Sequence, residues 1–412
     1  MLTRASLRKG LDWVDMPPTV GCSWPSDSWE GHVRFPPWEA VFVDEFLRSV
    51  DIEALKQHAN SYAKQSNCCV LLEKFSRGQE SLVLELRFGT EMVWVAKLRL
   101  PPRPGVHSFS RKEFAEMQSE VVTMQYVKSY TCIPIPCIRG YDLRDNNDVG
   151  AAYVVMDAMP GRLTVGLPQI PDDVKSKVYR QIAIIMLQLA RLCFPKIGLL
   201  HCAEDEYRIS GMITEGYHRF NECTTATEFF QKRHQIYYEM KLQEGNEDHI
   251  ILAWLYMRAI PHFVQPQSDC GPFPLRHPDL NNCNILYDGD YNVTGVIDWT
   301  ASHTSPWESF LTPPIEFRLP QFQADRDLFC EIFEEESNLQ SSALPITKFM
   351  NSKAGKIAAL VNNYDAFHPP KMPDMPTKDL ISLLYGENAT WSDVQSMYYE
   401  WKLTNSRLEE LE

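Results

Sequence analysis

No apolar run in the 412-residue chain approaches the roughly 20 residues that a membrane-spanning helix needs, so no membrane partner is expected. No cysteine pair has the Cys-x-x-Cys spacing of a zinc site. The 11 cysteines are scattered, with Cys68 and Cys69 adjacent and Cys132 and Cys137 flanking an Ile-Pro-Ile-Pro segment. An odd number without a framework reads as reduced, buried thiols in a cytoplasmic chain. Positive charge is also in deficit. Forty Lys and Arg stand against 54 Asp and Glu, a formal net charge of −14, which disfavours nonspecific binding to nucleic acid or anionic membrane. Behind Arg4, Arg8 and Lys9 there is no hydrophobic core of a secretory signal, and Asp12 and Asp15 break the acid-poor character of a mitochondrial presequence. Internal repeats and low-complexity tracts are missing as well.

What remains is an ordinary globular composition, 44% apolar and 23% charged, in a chain long enough for two lobes with substantial cores. Its chemistry concentrates between Arg276 and Trp299. There His277, Asp279 and Asn284 follow the spacing His-x-Asp-x-x-x-x-Asn, and a second apolar run, Gly295 to Trp299, delivers Asp298. Phosphoryl transfer needs positioning and charge neutralisation more than covalent help. Two oxygen-bearing groups to hold Mg²⁺ and one carboxylate facing the acceptor hydroxyl would suffice, which fits Asn284 and Asp298 as metal residues and Asp279 as the catalytic one. The bland alternative is an Asn/Asp-rich turn between two strands.

This stretch resembles the aminoglycoside phosphotransferase family, in which the tripeptide after the catalytic loop reads Ile-Asp-Trp, as at Ile297, Asp298 and Trp299. The resemblance implies an α+β, two-lobed protein-kinase-like fold: a small antiparallel-sheet lobe with one key helix, and a mostly helical second lobe. It also implies an ATP-dependent, Mg²⁺-using phosphotransferase acting on a small-molecule hydroxyl. Pro278 stands where protein kinases carry Arg, and no Ala-Pro-Glu follows, so control by a phosphorylated activation loop is not expected. The competing class is a kinase-like binding or regulatory protein with weak or no turnover.

In chain order, residues 1–40 read as an irregular arm whose Trp13, Trp24 and Trp29 suggest packing on the body. Val41 to about Gln65 allows one or two helices. Residues 41–156 form the expected nucleotide-binding lobe and 157–412 the helical lobe. The sheet is expected to begin with Val70–Phe75, and Leu82–Phe88 and Met92–Leu100 alternate as strands. The loop between the first two holds a single glycine, Gly78, and reaches Ser81 without GxGxxG; Glu80 there would repel phosphate unless it points away.

Lys97 occupies the place of the kinase strand lysine. Alternation sets Val95 beside it on one face, with Val83 and Met156 as further nucleotide contacts. A solvent-facing strand-end lysine is the alternative; on the anchor reading Lys97→Met is expected to disturb nucleotide use more than folding. Its expected partner is Glu120, on a helix opened by the capping box Ser110–Glu113 with Phe114, Met117, Val121 and Met124 as its apolar stripe; Glu116 is the structural alternative. Asp157 to Met159 follow the strand Ala152–Met156 as an expected hinge, whose backbone at Asp157 and Met159 would bind the adenine edge. His277 is expected to brace the catalytic loop. Helices with aromatic faces over Thr225–Leu242 and Asp248–Phe263 read as core, and the acidic helix Leu328–Leu339 as a solvated face.

Overall fold

Period-two alternation is borne out as a sheet. In the computed structural model, which describes residues 24, 27, 29, 37–78, 80–89, 92–101, 111–164, 166–204, 206–213, 219–318, 320–339, 346–362 and 375–409, strands β1 (Cys68–Arg77), β2 (Ser81–Phe88), β3 (Met92–Arg99), β4 (Ile138–Asp142) and β5 (Tyr153–Asp157) form one antiparallel sheet in the order β1-β2-β3-β5-β4. The register pairs Leu82 with Leu98, Leu84 with Ala96 and Leu86 with Trp94. These six side chains are buried and face helices α1 (Pro37–Ser49) and α2 (Ile52–Ala63), whose Val43, Phe46 and Leu55 complete the core. Asp51 caps α2 by accepting from the Ala54 amide at 2.9 Å, and Lys64 ends it in the left-handed region at φ 54. The capping satisfies an orphan donor of the first turn.

Antiparallel pairing puts directly opposed residues on the same face, so the other face is also fixed by register. Val83, Lys97 and Val154 form one row, and Glu85, Val95 and Met156 the next. Helix α3 (Arg111–Tyr130) presents the expected stripe, with Met117, Val121 and Met124 buried, though Phe114 at its start is exposed. The expected capping box falls outside the described residues, as does nearly all of the N-terminal arm. Among the arm's tryptophans Trp24 and Trp29 are half-buried.

The chain divides into two compact units, and the division is not a single cut. One lies within Met1–Gln188, His201–Tyr207 and His277–Ser302; the other within Leu189–Leu200, Arg208–Arg276 and His303–Glu412. The first unit therefore holds the sheet, α3 and the chemical stretch from His277 onward. It also contains strand β6 (Arg162–Leu163), helix α4 (Asp172–Ala190, counted to Gln188) and the hairpin of β7 (Ile285–Tyr287) and β8 (Val293–Val296), which pair in the order β8-β7-β6. The expected hinge at 156/157 concerns where motion would occur, and it stays a proposal.

The second unit is built on two helices, Ala226–Glu244 and Glu247–Phe263. Thr225 caps the first by accepting from the Glu228 amide at 3.0 Å, and Gly245 ends it at φ 74. Phe229, Phe230, Tyr237, Trp254, Tyr256 and Phe263 are buried, so these aromatics are core, as expected. Along Gln323–Leu339, Glu331, Glu334 and Glu335 are exposed while Glu336 is buried with Phe333 and Ser337. The solvated face is thus narrower than the acidic run suggested. The thiols also depart from expectation: Cys68 and Cys223 are buried, but Cys69, Cys193, Cys270 and Cys283 are exposed. A small, weakly polar side chain is tolerated on either side of the surface. Among the described residues no helix is long and apolar enough to cross a membrane.

Candidate active site

The row containing Lys97 lies at the centre of the sheet, between β2 and β5, so its position is set by ladders on both sides. Its ammonium donates to Glu120 Oε1 at 2.6 Å, to Asp298 Oδ1 at 3.0 Å and to Thr300 Oγ1 at 3.0 Å. All three N–H directions are used. Thr300 Oγ1 also lies 3.1 Å from Glu120 Oε2 and 2.8 Å from Asp298 Oδ1, and its single proton serves one carboxylate at a time. Strand, helix and chemical stretch thus meet at one cation. One turn earlier on α3, Glu116 stands 3.9 Å from Arg99, so the two candidate glutamates are resolved: Glu120 goes to Lys97 and Glu116 to Arg99.

Asp279 and Asn284 are brought together by the loop that precedes β7. Asn284 Nδ2 donates to the Asp279 carbonyl at 2.9 Å and to Asp279 Oδ2 at 2.8 Å, while Asn281 Nδ2 donates to Asp279 Oδ1 at 2.6 Å. The loop carries its own Asx turn, Asn281 Oδ1 accepting from the Cys283 amide at 2.7 Å. The hairpin then carries the geometry across. The Ile297 amide donates to the Asn284 carbonyl at 2.9 Å, so Asn284 and Asp298 emerge from the same end of β7 and β8. Asp298 sits at φ 58, in the left-handed region that Asp tolerates better than most residues. Buried His277 donates from Nε2 to the Ile297 carbonyl at 3.1 Å and packs edge-on against fully buried Trp299 at 4.8 Å between ring centroids. A carbonyl only accepts, so the contact fixes the tautomer.

Charge follows the geometry. Burial works to lower the Lys97 pKa, but Glu120 and then Asp298 outweigh it and hold the ammonium firmly charged. Burial works to raise Asp298, yet Lys97 and the Thr300 hydroxyl bring its pKa down to about 2. Asp279 moves the other way. Burial raises its pKa, nearby Asp298 adds to the rise, and the Asn284 and Asn281 amides only partly offset them. Two carboxylates near one another are thus differentiated, one a fixed anion and the other with raised proton affinity.

The remaining expected residues are placed as follows. Val83, Val95 and Met156 share the face of Lys97. Gly78 and Ser81 close the β1–β2 hairpin, the Gly78 amide donating to the Ser81 carbonyl at 2.9 Å. Glu80 is turned aside, its Oε2 accepting from Arg99 Nη1 at 2.6 Å. The Asp157 and Ala158 amides are spent on the Cys137 and Val93 carbonyls at 3.0 and 3.2 Å, and the Asp157 carboxylate is held by Arg139 at 2.6 and 3.0 Å. Met159 and Gly161 are pressed onto the β7–β8 hairpin. A Cβ on Gly295 would lie 2.9 Å from Met159 Cβ. Gly161 is at φ 119, and a Cβ there would meet the Thr294 hydroxyl at 2.4 Å.

Sequence reading missed Thr300, Arg99 and Glu85. Arg99 lies two residues after Lys97 and Glu85 opposite Val95, so the period of the strand and its register could have found them. Glu85 is fully buried against Arg87. Thr300 carried no signal beyond following the tripeptide.

Among the described residues no cluster of three His, Cys, Asp or Glu side chains is placed to hold a metal ion. The oxygens present, the Asp298 carboxylate with 48% of its side chain exposed and the Asn284 carboxamide, are hard donors. They suit Mg²⁺, which takes one or two protein ligands and completes its shell with phosphate and water.

No family model matches the chain. It is 22% identical to a subtelomeric hrmA-associated cluster protein of Aspergillus fumigatus over 311 residues, 59% of either chain. To clavilactone A biosynthesis cluster protein Y of Ampulloclitocybe clavipes it is 24% identical over 208 residues, 47% of this chain and 51% of that one. The chain thus spans 59% and 51% of the lengths of these curated relatives. Among solved structures, a "putative aminoglycoside phosphotransferase" of Ralstonia eutropha is similar at 15% identity, covering 76% of this chain and 88% of that one with a TM-score of 0.48. The ADP-bound aminoglycoside phosphotransferase APH(2'')-Ib gives 14%, 82%, 98% and 0.44 in the same order. A Plasmodium vivax ethanolamine kinase gives 14%, 82%, 82% and 0.42. The similar solved structures are aminoglycoside phosphotransferases and related kinases.

Proposed function

We propose that this chain is an ATP-dependent phosphotransferase that moves the γ-phosphoryl group to a hydroxyl of a small molecule. The observation that carries the reading is the Lys97 ammonium, held at 2.6 Å from Glu120 and 3.0 Å from Asp298, in the same compact unit as the Asp279–Asn284 loop. A strand lysine locked by a helix glutamate is a preset phosphate anchor: Glu120 would keep the ammonium in place while the N–H directions now given to Asp298 and Thr300 turn to phosphate. Val83, Val95 and Met156 would take the adenine, aided by backbone at Asp157 and Met159, while Gly78 and Ser81 would cover the phosphates. Asn284 and Asp298 would hold Mg²⁺, which when bound neutralises phosphate charge.

Asp279 would orient the acceptor hydroxyl and receive its proton. Burial serves that role, since it raises the proton affinity of Asp279 while Asp298 stays ionised at a pKa of about 2. His277 would hold the loop in place through the Ile297 carbonyl. A cytoplasmic chain with a small-molecule partner is part of this reading.

One observation favours a second reading, a kinase-like binding protein. The β1–β2 loop lacks GxGxxG, and a Cβ on its single glycine would have Ser81 O at 3.9 Å as its near neighbour. Ordinary van der Waals contact does not demand glycine there. Turnover separates the two. Purified chain given ATP, Mg²⁺ and a library of hydroxyl compounds should consume ATP. Asp279→Asn should bind ADP·Mg normally while turning over at least about a hundredfold more slowly. Nucleotide binding without consumption across the library supports the second reading, and a fully active Asp279→Asn protein removes Asp279 from the chemistry.

A further inference from the structure

The β1–β2 loop has no run of glycines to let backbone amides wrap a phosphate, and it carries a carboxylate, Glu80, where anions would be unwelcome. The structure resolves the second difficulty in a way that bears on the first. Arg99 is buried, its side chain 7% exposed, and it binds Glu80 Oε2 at 2.6 Å through Nη1 while its Nη2 stands 3.9 Å from Glu116 on α3. The Leu100 amide donates to the Glu80 carbonyl at 2.9 Å, so main chain and side chain of Glu80 are both tied to the end of β3. Loop, strand and helix are thereby joined at one guanidinium. This junction parallels the Lys97–Glu120 pair two residues along the strand and one turn along the helix.

We infer that Arg99 is a positioning residue for nucleotide binding: it latches the β1–β2 loop through Glu80 and references it to the helix that carries Glu120. The inference rests on the phosphotransferase reading, because it assigns the loop to the phosphates. A planar guanidinium directs its N–H groups along a rigid fork, whereas a lysine ammonium is a rotatable point charge. A loop held by such a latch gains by charge pairing the order that a glycine-rich loop gains by backbone contact with its ligand. It also keeps the Glu80 charge neutralised and turned away from the site.

A double-mutant cycle on ADP·Mg affinity tests the latch. Glu80→Gln and Arg99→Met should each weaken ADP·Mg by about five- to tenfold, and the double variant no more than the worse single one, since residues in contact are energetically coupled. Adenosine, which has no phosphates, should bind all four proteins alike, a result that general loosening of the fold would not give. If Arg99→Met unfolds, Glu80→Gln, at a half-buried loop residue, retains the test: unchanged ADP·Mg affinity in that variant overturns the latch. Multiplicative losses in the double variant also overturn it, showing Arg99 acting apart from Glu80. Lys97→Met serves as the control. Loss of ADP·Mg binding there with Glu80→Gln unaffected sinks the latch alone, whereas a wild-type chain that binds no ADP·Mg sinks the phosphotransferase reading and the latch with it.

Discussion

Replacing Lys97 by Met tests the centre of the site, and the structure changes what it should do. A lysine at an exposed strand end could be removed at little cost to stability. Here the Lys97 side chain is 17% exposed and that of its partner Glu120 is 9% exposed, so the substitution strands a buried carboxylate. Breaking a buried pair from one side costs on the order of 3–5 kcal/mol. The Thr300 hydroxyl still reaches Glu120 Oε2 at 3.1 Å, which argues for the lower end, about 3 kcal/mol. Asp298 loses the same cation but has 48% of its side chain exposed, so solvent absorbs most of that change. For a folding unit of about 200 residues the loss should lower the melting temperature by roughly 6–12 °C.

The companion variant separates stability from anchoring. Adding Glu120→Gln removes the stranded charge and keeps a partner for Thr300, so Lys97→Met/Glu120→Gln should recover most of the lost stability while ADP·Mg binding stays weak. Urea or thermal denaturation and nucleotide titration on the same three proteins supply the measurements. Wild-type melting of Lys97→Met would contradict the buried pair. Full nucleotide affinity in the double variant would refute the phosphate anchor.

Asp298→Asn should lower Mg²⁺-dependent nucleotide affinity by at least about tenfold, the least that even outer-sphere changes usually produce, while metal-free nucleotide binding persists. Equal loss of both with a melted fold would make Asp298 a structural residue instead. His234 predicts an acid-side weakness in the second unit: burial, with a smaller contribution from Arg233, depresses its pKa from 6.5 to about 3. The unfolded chain takes up that proton first, so the contribution is complete above pH 6.5 and is lost as pH falls toward 3, at up to about 1.4 kcal/mol per pH unit. His234→Leu should flatten the fall in melting temperature across that window, and identical slopes in both proteins would show that another group is responsible.

Local pattern carried the sheet, the helices and the identity of the groups on the Lys97 face. Alternation alone sets Val95 with Lys97, and the hydrophobic stripe of α3 narrows its partner to Glu116 or Glu120. Pattern favoured Glu120 and kept Glu116, one turn earlier near the same helix face, as the alternative. Packing then gave Glu120 to Lys97, level with Val83 and Val154, and left Arg99 for Glu116. Spacing alone likewise marked His277, Asp279, Asn284 and Asp298.

The sequence by itself determined which residues could carry charge, hard oxygens and an apolar face, since composition, period and spacing are properties of the chain. Tertiary structure decided which of them meet. Thr300 became the hub between Lys97, Glu120 and Asp298 through contacts spanning up to about two hundred positions in sequence. Burial raised the proton affinity of Asp279 while Lys97 depressed that of Asp298. Glu80, an obstacle in the sequence, was turned onto Arg99. Proton affinity and pairing depend on desolvation and on distances of a few ångströms, and the chain acquires both only when segments far apart in sequence are packed against one another.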